Sequence, residues 1–154
     1  MSYEQLKLEN QICFPLYAAS RLITRAYQAD LDALGITYPQ YLVLMVLWEF
    51  EELTVNEIAE KLILNTNTVT PLLKRMEAQL ILKRIQCKTD QRKVLISLTE
   101  KGKNMQIEAA EIPFRLVKKL NSTGNEIKIE DTLELKSRLY KLIHLLESSE
   151  LKQT

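Results

Sequence analysis

Cys13 and Cys87 are the only thiols in a chain of 154 residues, and His144 is its only imidazole. Two cysteines are too few to staple a fold, and a single His leaves no His/Cys metal site within one chain. A thiol on its own offers nucleophilic and redox chemistry. Cys13 falls in or near the first turn of a helix. Pro15 fits there, because first-turn N–H groups have no helical acceptor to lose. The positive end of a helix favours the thiolate, the form that reacts with oxidants. A lone Cys on an apolar helix face is more often simple packing, and the residues by themselves leave both readings open. Cys87 has Lys83, Arg84 and Lys88 nearby, which also favour a thiolate, but it reads more simply as an incidental residue of a polar loop. His144 reads as a surface or packing residue of the last helix.

The other chemistry is anion recognition. Residues 61 to 101 hold nine basic and three acidic residues, a net of +6, while the rest holds twelve bases and seventeen acids, a net of −5. The formal total of +1 is therefore an average over a basic middle and acidic ends. That pattern suits a DNA-reading module on an acidic scaffold; the plain alternative is a chance cluster of solvated Lys and Arg. Thr66, Asn67, Thr68 and Thr70 offer short polar groups to base edges or phosphates, and Lys74 and Arg75 offer cations to phosphates. Lys88, Asp90, Arg92 and Lys93 make a second polar group. Arg92 suits a narrow minor groove, and Asp90 either steers it by an ion pair or is plain turn chemistry.

The elements that position these groups are mostly helical. Apolar residues from about 11 to 34 recur with a helical rhythm, and Gly35 ends that helix. Pro39 opens an apolar helix over Gln40 to Phe50. Thr54 and Glu57 make a capping box for a short support helix over about 55–62. A recognition helix follows over about 66–79, with Val69, Leu72, Leu73, Met76 and Leu80 on its apolar face and Pro71 one turn in. Two β-branched runs, 82–86 and 94–98, flank the polar tip and make a wing over 82–98. Thr99 caps a helix running to about Leu120 and bent at Pro113. Thr123 and Glu126 repeat the capping box before a final helix. The fold class is mainly α with a small β-hairpin wing: a winged helix-turn-helix over 40–101 within one domain, 1–154. The helices of 1–35 and 103–150 are too apolar to stand alone and are expected to form a homodimer interface. A dimer presents two recognition helices to successive major grooves, which calls for a pseudo-palindromic double-stranded DNA operator.

Composition excludes several classes. With 46% hydrophobic and 27% charged residues the chain should fold and stay soluble, and 3 Gly with 4 Pro speak against a turn-rich all-β fold. No apolar run reaches ~18 residues, and the N-terminus lacks the pattern of a signal peptide. The expectation is a cytoplasmic protein with no membrane partner and no cofactor.

Residues 65–75 (NTNTVTPLLKR), 88–93 (KTDQRK) and 97–102 (SLTEKG) resemble the multiple antibiotic resistance regulator (MarR) family. Residues 8–14 (LENQICF), Tyr17-Ala18 and 36–41 (ITYPQY) resemble its organic hydroperoxide resistance branch. The similarity runs from about 6 to 146 and is weakest in the last two helices. It implies a homodimeric winged-helix repressor rather than an enzyme. In it Cys13 is oxidised by organic hydroperoxides, DNA is released, and the hydroxyls of Tyr27 and Tyr38 reach the sulfur. Tyr17 and Tyr41 either line the same pocket or pack in the core, and Trp48 reads as core. The recognition helix opens Asn65-Thr66-Asn67-Thr68 where the branch has Asp-Ser-Gly-Thr, and the second cysteine of two-cysteine members has no counterpart. Oxidation should therefore give a sulfenic acid and then a mixed disulfide with a small cellular thiol. Cys13 and Tyr27 are 14 residues apart, about 21 Å along one helix. The tyrosine that reaches the thiol should thus come from the other subunit. The competing expectation is release by a small phenolic or drug-like ligand, with Cys13 structural. A thiol peroxidase is disfavoured, because no second cysteine is placed for turnover.

Overall fold

Gly35 ends the first long helix by adopting φ +67°. The Ile36 N–H then bonds back to the Leu31 carbonyl at 3.0 Å and the Gly35 N–H to Asp32 at 3.0 Å, the paired bonds of a left-handed helix stop. Leu31 and Ile36, brought together by that stop, are both buried. The computed structural model describes residues 3–86, 93–122 and 128–150. Helix α1 is Cys13–Ala33 and α2 is Tyr38–Phe50. Strand β1 is Glu52–Thr54, α3 is Val55–Leu62 and α4 is Thr66–Ala78. Strands β2, Leu82–Gln86, and β3, Val94–Leu98, precede α5, Glu100–Ala109; α6 is Ile112–Asn121 and α7 is Ile129–Glu150.

Two short 3-10 turns, Glu4–Leu6 and Leu8–Asn10, lead into α1. The Asn10 side-chain amide donates to the Glu4 carbonyl at 2.8 Å, and the Gln11 amide donates to Gln5. The polar pair in LENQICF thus closes the segment that delivers Cys13 to the helix start.

The sheet has three strands rather than the two of a hairpin. Its order is β1-β3-β2, all antiparallel, with Leu53 opposite Ile96 on one side and Arg84 opposite Ile96 on the other. Three residues of β1 are too few to show alternation in a sequence, so only pairing reveals it. The core gathers Val43, Leu44 and Leu47 of α2, Ile58 of α3, Val69, Leu73 and Met76 of α4, and Ile96 of β3. Leu80, expected on the apolar face of the recognition helix, lies beyond it at φ +58° and is 70% exposed.

A single helix from 100 to 120 does not form. Pro113 has no N–H for the carbonyl of Ala109 and its ring crowds that turn. Helix α5 therefore stops at Ala109, and Pro113 sits in the first turn of α6, where it is tolerated. The chain divides into two compact units, 1–112 and 113–154. In the second, Phe114 and Val117 of α6 and Leu133, Leu135, Tyr140, Leu145 and Leu146 of α7 are exposed. The capping box at Thr123 to Glu126 lies outside the described residues.

The capping box of α3 is formed. The Thr54 N–H donates to the Glu57 carboxylate at 2.7 Å, and the Glu57 N–H donates to Thr54 Oγ1 at 3.3 Å. The bond from the Thr54 backbone, then that from its hydroxyl, holds the Glu57 carboxyl below its ordinary value of 4.5, with Lys93 and Lys61 adding to the effect. A depressed carboxyl stabilises the fold above its ordinary range, and that contribution is lost as pH falls through the lowered value. Thr54→Ala is expected to cost about 1 kcal/mol near neutral pH. The gap to wild type should narrow in acid, as urea unfolding at the two pH values would show.

Candidate functional site

The short helix α3 packs through Ile58 and Ala59. Its C-terminal Ile63 takes the left-handed conformation at φ +54°, which turns the chain sharply through Leu64 and Asn65 into α4. Val69, Leu72, Leu73 and Met76 anchor α4 in the core. The spacing of these anchors leaves Thr66, Asn67, Thr68, Lys74 and Arg75 on the exposed face. Thr70 is half-buried, and its hydroxyl donates to the Thr66 carbonyl at 2.7 Å. Arg75 Nε donates to the Pro71 carbonyl at 3.3 Å, laying the guanidinium along the helix. Pro71 lacks the N–H that would meet the Asn67 carbonyl, and that carbonyl lies on the polar face. Lys93 is exposed at the start of the strand segment. Cys87, Lys88, Asp90 and Arg92 lie outside the described residues.

One ion pair ties this helix to the sheet. Arg84 Nε of β2 lies 3.0 Å from the Glu77 carboxylate of α4, with Arg84 Nε and Nη2 out of contact with solvent. Seven residues separate the pair in sequence, across a helix end and a turn, so no local spacing announces it.

Cys13 is the first residue of α1 and is exposed. Pro15 is the third, within the turn whose N–H groups need no helical acceptor. Phe14, Leu16, Tyr17, Leu22 and Ile23 on the same helix are exposed as well.

Tyr27 and Tyr38 come together, with ring centroids 5.5 Å apart. Tyr41 completes a triangle at 6.1 Å from Tyr27 and 6.4 Å from Tyr38, and Trp48 meets Tyr41 edge-on at 6.3 Å. Burial pushes the Tyr27 phenol up, with Tyr38 and then Tyr41 adding to it; burial and then Tyr38 push Tyr41 up. Both phenols therefore stay protonated at neutral pH and remain hydrogen-bond donors. Helix α1 runs unbroken from Cys13 past Tyr27, so about 21 Å of helix separates the thiol from the phenols of the same chain. Tyr41 belongs to the cluster as fully as Tyr38, and only its position in the triangle sets it apart from ordinary core.

A cleft of about 700 Å³ opens between the α1–α2 turn and α4. Gly35, Thr37, Gln40, Leu72, Arg75 and Gln79 line it. Among the described residues no cluster of His, Cys, Asp or Glu could hold a metal ion, and no single helix is long and apolar enough to cross a membrane.

A support helix, a polar-faced helix anchored across a sharp turn and a three-stranded wing define a winged helix-turn-helix, the DNA-binding fold of many transcriptional regulators. Residues 25–108 match the family of the transcriptional regulators SarA/Rot. The chain is 46% identical over 144 residues to an organic hydroperoxide resistance transcriptional regulator of Bacillus subtilis strain 168, covering 94% of this chain and 95% of the relative. It is 35% identical over 147 residues to the regulator MgrA of Staphylococcus aureus, covering 95% and 97%. Reduced AbfR bound to DNA matches it with a TM-score of 0.76 at 36% identity, covering 96% of this chain and 98% of that one. AbfR of Staphylococcus epidermidis is also known overoxidised on DNA and in a disulfide form. The chain belongs to the MarR/SarA-type winged-helix transcriptional regulators, in the group of the organic hydroperoxide resistance regulators.

Proposed function

We propose that this chain is a homodimeric, cytoplasmic repressor of organic-peroxide stress genes that releases its operator when Cys13 is oxidised. Helix α4 reads the major groove of a pseudo-palindromic duplex through Thr66, Asn67, Thr68 and Thr70. Lys74 and Arg75 take phosphates, and the wing adds Lys88, Asp90, Arg92 and Lys93. Residues 40–101 act as the reading module, and 1–35 with 103–150 as the dimerisation helices. The observation that carries the redox reading is the exposed thiol at one end of α1 and the tyrosine cluster towards the other, on a helix whose apolar side lies open. Each gap is filled by a second copy: it covers Phe14, Leu22 and Ile23, and its Tyr27 and Tyr38 donate to the thiolate. The exposed apolar residues of α6 and α7 support the same assembly.

The thiolate attacks one peroxide oxygen, the O–O bond breaks, and the departing alkoxide takes a proton to leave as the alcohol. The sulfur, oxidised by two electrons, becomes a sulfenic acid. A small thiol then displaces its hydroxyl as water and forms a mixed disulfide, which a second thiol reverses. The added bulk parts the contacts around Cys13 and shifts the spacing of the two recognition helices. Operator binding tests this: cumene hydroperoxide should release the duplex and dithiothreitol should restore it. A complex that survives stoichiometric oxidation of Cys13 contradicts the reading.

The cleft beside α4 favours a second reading. A space of 700 Å³ with Arg75 on its wall suits a small phenolic or drug-like anion. Release by such a ligand would persist in Cys13→Ser, which distinguishes it from the redox route.

A further inference from the structure

Gln40 lies between Tyr38 and Tyr41 in the first turn of α2 and is 5% exposed. A buried amide needs partners, and Gln40 has them on two elements. Its carbonyl accepts the Thr37 N–H at 2.8 Å, which fastens it to the start of its own helix. Its amide N–H donates to Gln79 Oε1 at 2.8 Å, 39 residues further along. Gln79 is the residue at which α4 ends. The Gln79 amide donates to the Gly35 carbonyl at 3.4 Å, its backbone N–H bonds to Arg75 at 3.0 Å, and its carbonyl accepts Lys101 Nζ at 2.8 Å. The end of the recognition helix is thereby held to the turn that carries the tyrosines.

We propose that the paired side-chain amides of Gln40 and Gln79 are the joint through which a movement of the tyrosine cluster reaches the recognition helix. The proposal rests on the redox reading of Cys13 and names its internal coupling. Tyr38, Gln40 and Tyr41 share one helical turn, so a displacement that carries the phenols carries the Gln40 amide with them. Gln40 is buried and Gln79 exposed, so a displacement that separates the two amides takes the acceptor from the Gln40 N–H while Gln79 turns to solvent. A directional contact of this kind, either made or lost, can carry a two-state change between packed helices. Both glutamines also line the cleft beside α4, so a ligand bound there would meet the same joint.

The test uses the full-length protein and a duplex selected from random DNA by the reduced wild type. Operator Kd is measured before and after cumene hydroperoxide, with Cys13 oxidation followed by intact mass. Gln79→Met removes the acceptor at an exposed helix end and should leave the fold intact. Its Cys13 should oxidise fully and its reduced-state Kd should stay within about threefold of wild type, while the ratio of oxidised to reduced Kd falls about tenfold. Gln79→Glu keeps an acceptor for Gln40 and should keep the release. The double variant Gln40→Met/Gln79→Met should lose no more than Gln79→Met alone, because the two act as one contact. Undiminished release from fully oxidised Gln79→Met overturns the joint while leaving the Cys13 reading in place. A wild type that keeps its DNA after Cys13 oxidation overturns both.

Discussion

Cys13→Ser is expected to hold operator DNA as the wild type does and to ignore organic hydroperoxide. Serine keeps the shape of the side chain, and the position is exposed at the start of α1, so the fold has little to lose. What disappears is the chemistry: a hydroxyl stays protonated at neutral pH, does not reduce a peroxide and has no sulfenic state to trap. Reduced-state Kd should therefore change by less than about twofold, while the peroxide-induced loss of affinity, a coupling of about ten- to a hundredfold in the wild type, should vanish. Cys87→Ser should respond as the wild type does, because the proposed sensing role belongs to Cys13 alone. Titrating operator binding against cumene hydroperoxide for the three proteins checks both statements. Peroxide-induced release of Cys13→Ser would remove that residue from the sensing role.

Gly102→Ala, in the first turn of α5, should be a strongly damaging substitution. A Cβ at this position would lie 2.2 Å from the Ile81 carbonyl oxygen and 3.1 Å from Leu98 Cδ2. The obstacle at 2.2 Å is backbone, and it is held from several sides. The Ile81 carbonyl accepts the Thr99 N–H at 3.1 Å and lies 3.0 Å from the Thr99 hydroxyl, which is 2.7 Å from the Leu80 carbonyl. The Gly102 N–H donates to that hydroxyl at 3.2 Å, and the Gly102 carbonyl accepts Trp48 Nε1 at 2.9 Å. Relief requires moving the start of α5 away from the end of α4, which breaks bonds to α2 as well. The expected loss is about 3 kcal/mol, the upper end for overpacking, and about 6–12 °C in Tm for a chain of this length. Gly35→Ala is the control: its Cβ meets nothing within 4 Å and only the positive φ is strained, so about 1 kcal/mol is expected. Thermal and urea unfolding of the two variants give the comparison. A Gly102→Ala protein as stable as the wild type would mean that α5 is not seated on Ile81 as described.

Much of the fold was legible because it is written locally. The period of Val69, Leu72, Leu73 and Met76 announced α4, the Thr54 and Glu57 pair announced the start of α3, and the β-branched runs announced β2 and β3. Signals of this kind act over one or two turns, so a linear reading captures them. Strand β1 escaped because three residues carry no period. Pro113 in a continuous helical pattern suggests a bend, whereas the proline sets a new helix start. Leu80 continues the apolar period of α4 in the sequence, but its positive φ takes it off that face. For the site, the polar positions of α4 and the thiol at a helix start could be read from residue type and spacing. The tyrosine roles came from resemblance rather than from any spacing, since Tyr27 and Tyr38 meet across a helix stop.

The sequence by itself determined which chemistry is present: a thiol in or near the first turn of a helix, a basic stretch with a polar helix face, and terminal helices rich in apolar residues. These follow from side-chain type and helical period, which the chain carries residue by residue. Only the tertiary structure decided who meets whom. It placed three tyrosines in a triangle far from the thiol of the same chain, set Glu77 against Arg84, seated Gly102 on Ile81 and joined Gln40 to Gln79 across 39 residues. Such contacts form because a buried polar group must find a partner wherever packing has brought one, and packing is settled by the whole core at once rather than by any one segment.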